Sequence, residues 1–316
     1  MKTVLGLLLA FFVSVAAAQS YPTKPVRLII PFPPGGSNDV VGRAIAQQLA
    51  ERLGQGVVVD NRGGAGGVIG SNEAAKAAPD GYTLLLISTA FPTSIAFNRL
   101  PQDVMKSFAP VAILGSGPAL LVVPASSPAN SLADLLNLLK QKPGELNAAA
   151  AGIGSFQHMA TELFRLQSKT NFVIVQYKGG GPAMTDTIGG QVNFNLGSLV
   201  QMVPHVRSGK LKALGVSSAK RVPAMPEVPT IAEAGVPGYE VSNWWGILAP
   251  AGTPQAVIDR LYKEITALLD SAETRKRFEL EGAEVVRMTP PEFAAFVTQE
   301  TEKWTRVVKD AGIKPE

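Results

Sequence analysis

The spacing of apolar and polar positions changes period repeatedly along the chain. Short runs rich in leucine and β-branched residues predict buried strands at Val26–Ile30, Val57–Val59, Tyr82–Ile87, Leu120–Val123, Phe172–Val175, Val192–Asn195 and Ala213–Ser217. Longer stretches between them keep a helical period. Asn38–Leu53, for example, puts Val41, Ile45, Leu49 and Leu53 on one stripe. Strand and helix in alternation predict an α/β protein with largely parallel sheets.

Several helix starts are legible. Ser131-Leu-Ala-Asp134 and Thr289-Pro-Pro-Glu292 read as capping boxes. Thr253-Pro254 reads as a capped start for a helix carrying Val257, Leu261, Ile265 and Leu268. A helical pair, 254–269 and 290–311, closes the chain after a run dense in proline and glycine over 222–239. A length of 316 residues suits two lobes. The expected division is one discontinuous lobe, 19–120 plus 241–316, clasping a second, 121–240. Two crossings of this kind make a hinge and a cleft suited to ligand capture by closure.

Residues 1–18 read as a signal peptide. Lys2 supplies the positive start, Val4–Val15 is an uncharged apolar run, and Ala16-Ala17-Ala18 offers a cleavage site before Gln19. The run is shorter than the roughly 20 residues a membrane span needs.

Composition narrows the chemistry. A hydrophobic share of 46% is ample for a core and excludes disorder. The absence of cysteine excludes disulfides, thiol nucleophiles, thiolate-bound metals and attachment through a lipidated cysteine. With His158 and His205 as the sole histidines, neither a metal nor another cofactor is expected. The formal charge of +4 is carried by scattered residues, and the densest cluster, Arg275-Lys276-Arg277, is followed by Glu279 and Glu281. That is a solvated helix face, so no nucleic-acid partner is expected.

Three glycine-rich turns each follow a strand and precede a helix: Pro31 to Asp39, Gly152 to His158, and Lys178 to Ala183. A helix N-terminus presents unpaired N–H groups and partial positive charge, and glycine lets an anion approach them. Three such turns at strand C-termini point to a carboxylate or phosphate site. No phosphate-loop motif with its lysine occurs. The run Arg62 to Gly70 misses the dinucleotide fingerprint, because Ile69 stands where the third glycine is required. It reads instead as a tight connection.

A hydrolytic reading rests on Ser155, His158 and Glu162, which share one helical neighbourhood. The strained G-x-S-x-G elbow of a nucleophilic serine is absent, and Ser155 reads more simply as an N-cap beside an i,i+4 pair. Asp39, Asp60 and Asp186 are too dispersed to nominate a carboxylate pair, and Asp39 reads as fixing its own turn. Trp244 and Trp245, beside Asn243, read as packing at the return crossing.

These segments together resemble the Bug-type extracytoplasmic receptors of tripartite tricarboxylate transporters. The likeness runs through Tyr21-Pro-Thr-Lys-Pro to Gly36 with Asp39, Val59-Asp-Asn-Arg to Gly67, and Ala78-Pro-Asp-Gly-Tyr-Thr-Leu84. It continues in Gly154-Ser155 with His158 and Glu162, Tyr177 to Ala183 with Asp186, Pro226 to Tyr239, and Trp245 to Pro254. The resemblance implies a two-lobed periplasmic binding-protein fold that holds a small organic acid through backbone amides and water, without enzymatic activity. It implies delivery to membrane permease subunits by a monomer free in the periplasm. Carried over by position, Pro34, Gly35, Gly36 and Ser37 with Asp39 form one side of the site. Gly154, Ser155 and Phe156 form the other, Gly180, Gly181 and Pro182 line the cleft, and Ser88 and Thr89 close a wall. Where many members carry an acidic residue this chain has Asn195 and Ser198, and Phe91 follows Ser88-Thr89 where a histidine is frequent. These departures favour a carboxylate with a neutral or apolar remainder. A secreted serine hydrolase and a sensor subunit presenting its ligand to a signalling partner are the alternatives.

Overall fold

The computed structural model describes residues 21–310 and 312–313. The expected signal peptide lies outside the described residues. In chain order the elements are β1 (Val26–Ile30), α1 (Ser37–Leu53), β2 (Val57–Asn61), α2 (Val68–Ala75), β3 (Thr83–Ser88) and α3 (Ala90–Ala96). Next come β4 (Phe108–Pro124), α4 (Leu132–Gln141), β5 (Asn147–Ala150), α5 (Phe156–Ser168), β6 (Val173–Gln176), α6 (Gly180–Ile188), β7 (Phe194–Ser198), α7 (Leu199–Arg207) and β8 (Leu211–Val216). The chain closes with β9 (Ser242–Pro250), α8 (Gln255–Asp270), α9 (Ala272–Leu280), β10 (Glu284–Val285) and α10 (Pro290–Asp310).

Strand order is β2-β1-β3-β9-β4-β7-β5-β6, with β8 and β10 also hydrogen-bonded to β4. The flanks are parallel, β2-β1-β3 on one side and β7-β5-β6 on the other. The centre is antiparallel: β9 opposes both β3 and β4, and β4 opposes β7 and β8. The expectation of largely parallel sheets therefore holds only at the flanks. One segment carries the chain across and another brings it back, so the two must run in opposite directions. The first is β4. Phe108–Pro118 of this strand pairs with β9, and Ala119–Pro124 with β7 and β8.

The stripe read from α1 is buried as expected. Val41, Ile45 and Leu49 sit against Val26, Leu28 and Ile30 and against Ile258, Leu261 and Ile265 of α8. Beyond the crossing, Phe164, Phe172 and Phe194 meet edge to face or tilted, with Tyr239 over Phe164. Ser131 caps α4 by accepting the Asp134 amide, and Thr289 and Glu292 form a reciprocal capping box on α10. Thr253 departs from its expected role. Its hydroxyl donates to the Pro250 carbonyl, so α8 starts on Pro254 without a side-chain cap. The closing pair of helices is a trio, because α9 stands between α8 and α10.

Candidate functional site

Helices α1, α3, α5, α6 and α7 all start just past the C-terminal ends of strands β1, β3, β5, β6 and β7. Residues at the starts of all five line one cavity. From α1 come Gly36, Ser37 and Asn38, and from the β3–α3 junction Ser88 and Ala90. Ser155, Phe156 and Gln157 enter from α5, Gly180 from α6, and Ser198 and Gln201 from α7. Phe32, Ala151 and Asn243 complete the lining. Among the described residues no charged side chain lines it. First-turn amides have no partner within their own helix, and each N-terminus carries partial positive charge. Such helix starts favour negative charge in the cavity.

The turn before α1 is held by Asp39. Its buried carboxylate accepts the Gly35 amide at 3.0 Å, Arg43 Nε at 2.9 Å and Asn61 Nδ2 at 2.9 Å. Burial opposes its ionisation, but these donors, with the Arg43 charge, hold the carboxyl below the usual carboxylate range. This turn meets the one before α6. Gln201 Nε2 donates to the carbonyls of both Gly35 (3.0 Å) and Gly180 (2.8 Å). A Cβ on Gly181 would overlap the Pro34 carbonyl oxygen, so the close approach of the two turns requires glycine there.

The turn before α5 is organised from behind. Ser155 caps the helix by accepting the His158 amide at 3.1 Å, and His158 Nδ1 accepts the Gly154 amide at 3.3 Å. The Thr93 hydroxyl donates to the Gly154 carbonyl, joining this turn to α3. Burial, then the charges of Arg165 and Arg99, pull the His158 pKa from 6.5 down to about 4, so the ring is neutral near pH 7. Its other nitrogen lies 3.7 Å from Glu162, which also meets Arg165 at 2.7 Å. A hydrolytic dyad needs the accepting nitrogen on the serine hydroxyl. Here that nitrogen is on a backbone amide, and the Ser155–His158–Glu162 constellation does not have the triad arrangement.

Of the residues expected from sequence, Gly36, Ser37, Ser88, Ser155, Phe156, Gly180 and Ser198 line the cavity. Pro34, Gly35, Asp39, Gly154 and Gly181 do not. They shape the turns behind it as described. Pro182 lies in the first turn of α6, and Thr89 is fully buried beside Ser88. Asn195 stands one layer back, accepting from Gln157 Nε2 at 2.9 Å and donating to Thr187 at 3.0 Å. Phe91, expected to make the wall apolar, packs on Phe108 in the core; Phe32, Ala90 and Phe156 supply the apolar surface. Trp244 and Trp245 are buried outside the lining, and Trp245 Nε1 donates to Asn38 Oδ1 at 3.2 Å. The Gly63–Gly70 segment is a tight connection, with Gly63 and Gly70 against Pro33 and Pro31.

Sequence reasoning missed Asn38, Gln157, Gln201 and Asn243. The first two lie within the recognised turns Pro31 to Asp39 and Gly152 to His158, at the helix starts, so the helix start itself could have nominated them. Gln201 and Asn243 arrive on α7 and β9 with no local motif.

A cavity walled by helix N-termini, set where two parallel flanks join through antiparallel crossing strands, defines a two-lobed fold of the periplasmic binding-protein class. The chain belongs to the TctC family, the tripartite tricarboxylate transporter family receptors, whose profile matches residues 41–313. Protein BugT of Bordetella pertussis (strain Tohama I) is 40% identical over 301 residues, spanning 94% of this chain and 92% of that protein. An R. palustris protein solved with adipate superposes with a TM-score of 0.89 at 36% identity, covering 94% of this chain and 100% of that one. MatC from Rhodopseudomonas palustris, with bound malate, superposes at 0.85 and 34% identity, covering 91% and 100%. The family resemblance read from the turns is borne out.

Proposed function

We propose that this chain is a non-enzymatic periplasmic receptor that captures a small organic acid by lobe closure and presents it to membrane permease subunits. The observation that carries the reading is the convergence of five helix starts on one cavity that no charged side chain among the described residues lines. Such a site favours an anion over a cation by its dipoles, and it recognises a carboxylate through N–H groups and hydroxyls. The relatives solved with adipate and malate support the same class of ligand. In this reading the lobes are 19–120 plus 241–316 and 121–240, in keeping with the change of pairing partner after Pro118 on β4. The chain is exported with residues 1–18 removed and works as a monomer, without a lipid anchor or cofactor.

Melting curves of the mature protein against a panel of mono- and dicarboxylates test this. A ligand bound only by the native state stabilises by RT ln(1 + [L]/Kd), about 2.7 kcal/mol at a hundredfold excess over Kd. Ser155→Leu fills the cavity at the start of α5 and is expected to abolish the shift. A panel that leaves the melting temperature unmoved refutes the function, and a shift that survives in Ser155→Leu refutes the site.

A further inference from the structure

The turn before α5 sits in a slot built by distant parts of the chain. A Cβ on Gly154 would meet Phe97 at 3.5 Å and the Thr93 and Ser94 hydroxyls at 3.8 Å, so α3 and the residue after it lie against this turn. One residue earlier, Ile153 presents its carbonyl oxygen to Gly66, where a Cβ would overlap it. Ser94 Oγ donates to the Gly66 carbonyl at 3.3 Å and ties the two walls of the slot together. The next three residues, Ser155, Phe156 and Gln157, line the cavity.

Thr93 is fully buried and stands outside the cavity lining. Its hydroxyl has one proton and three carbonyl oxygens in reach: Ala90 at 3.0 Å, Thr89 at 3.1 Å, and Gly154. The first two belong to its own helical turn, where a threonine hydroxyl is satisfied without outside help. The Gly154 carbonyl has no such choice. The His158 amide, its partner in a regular helix, is taken by the Ser155 cap, and among the described residues Thr93 is its only donor.

Resting on the reading of lobe closure, which puts α3 in 19–120 and the α5 turn in 121–240, we propose that Thr93 is a positioning residue that latches the closed form. With the lobes apart, its proton goes to Thr89 or Ala90 and water meets the Gly154 carbonyl. On closure the slot excludes that water and the proton turns to Gly154. Thr93 is satisfied in both forms, but the Gly154 carbonyl depends on it only in the closed one. Encounter takes place with the lobes apart, and release breaks this bond. The latch therefore sets how long an acid stays rather than how fast it arrives.

Calorimetry of the mature protein and its variants with succinate, malate and adipate gives affinities. Stopped-flow tryptophan fluorescence gives rates, since Trp245 is hydrogen-bonded to Asn38 of the cavity lining. For an acid that binds wild type, Thr93→Ala and Thr93→Val are each expected to lose affinity by about 5- to 150-fold, the range for one buried carbonyl left unmet, through faster dissociation. Thr93→Ser keeps the proton and should restore most of the loss. Alanine removes bulk whereas valine sets a methyl against the carbonyl, so a loss common to both reports the hydrogen bond and not crowding. Melting curves without ligand check folding, and Thr93→Ala keeps the test open if Thr93→Val does not fold. Wild-type affinity in a folded variant without the hydroxyl, no recovery in Thr93→Ser, or a loss carried by slower association overturns the latch and leaves the organic-acid reading standing. If none of the acids binds the wild-type protein, both fall.

Discussion

Replacement of Gly181 by alanine separates folding from capture in this protein. Gly181 lies in the first turn of α6 without a positive φ, so alanine suits its backbone and raises helix propensity, by up to about 1 kcal/mol. The added Cβ, however, would sit roughly 1 Å inside ordinary carbon–oxygen contact with the Pro34 carbonyl across the cleft. The turn before α1 cannot retreat cheaply, because Asp39 pins the Gly35 amide and Gln201 pins the Gly35 carbonyl. An overpacked contact of this kind costs about 1–3 kcal/mol. Under the proposed lobe closure only the form in which the two turns touch bears that cost, so it enters the apparent affinity directly as a loss of about 5- to 150-fold. The assay pairs denaturant unfolding without ligand, where stability is expected to hold or rise slightly, with titration of an acid that binds the wild-type protein. Undiminished affinity in Gly181→Ala would refute the account of closure through these turns, as would a loss of unliganded stability matching the loss of affinity.

Two further outcomes follow from the geometry. His158 titrates near 6.5 when unfolded and about 4 when folded, so between those values the unfolded chain takes up a proton that the native protein does not. Its contribution is therefore present above pH 6.5 and is lost as pH falls toward 4, about 3 kcal/mol in all; urea unfolding at pH 7, 5.5 and 4.5 should show the decline, and His158→Gln should flatten it. Gly246 on β9 lies under the Phe293 ring of α10, so Gly246→Ala should lower the urea midpoint by the equivalent of about 1–3 kcal/mol with an unchanged m-value, whereas a midpoint equal to wild type would show that the ring moves aside freely.

The parts of this molecule that were legible in the sequence are those whose physics is local. The α1 stripe, the capping box at Thr289 and Glu292, and the three glycine turns are each written within a few residues, and each lies where it was expected. β5 escaped notice because Asn147-Ala-Ala-Ala150 has little intrinsic strand preference; it is a strand because β6 and β7 flank it and its alanines leave room for Ala183 of α6. The antiparallel centre escaped for a related reason, since pairing direction depends on where a distant segment returns. Within the cavity, hydroxyls and amides at helix starts could be read from the turns, whereas Gln201 and Asn243 are placed there by α7 and β9. Asn195 illustrates the converse: its segment reaches the cavity at Ser198, but Asn195 itself bonds Gln157 and Thr187 one layer back.

The strand that serves both flanks also sets the order in which the chain can fold. Leu85 of β3 finds its partner in Leu248, and Phe108 of β4 finds its partner in Pro250, so the first sheet to be synthesised lacks its centre until nearly the whole chain exists. Segments 121–240 close largely on themselves, with β5 beside β6 and β7. High contact order of this kind slows folding of the early half and exposes its β3 edge in the interval. The first sheet is therefore completed by residues of the chain's last quarter, and its assembly is a late event in the life of the polypeptide.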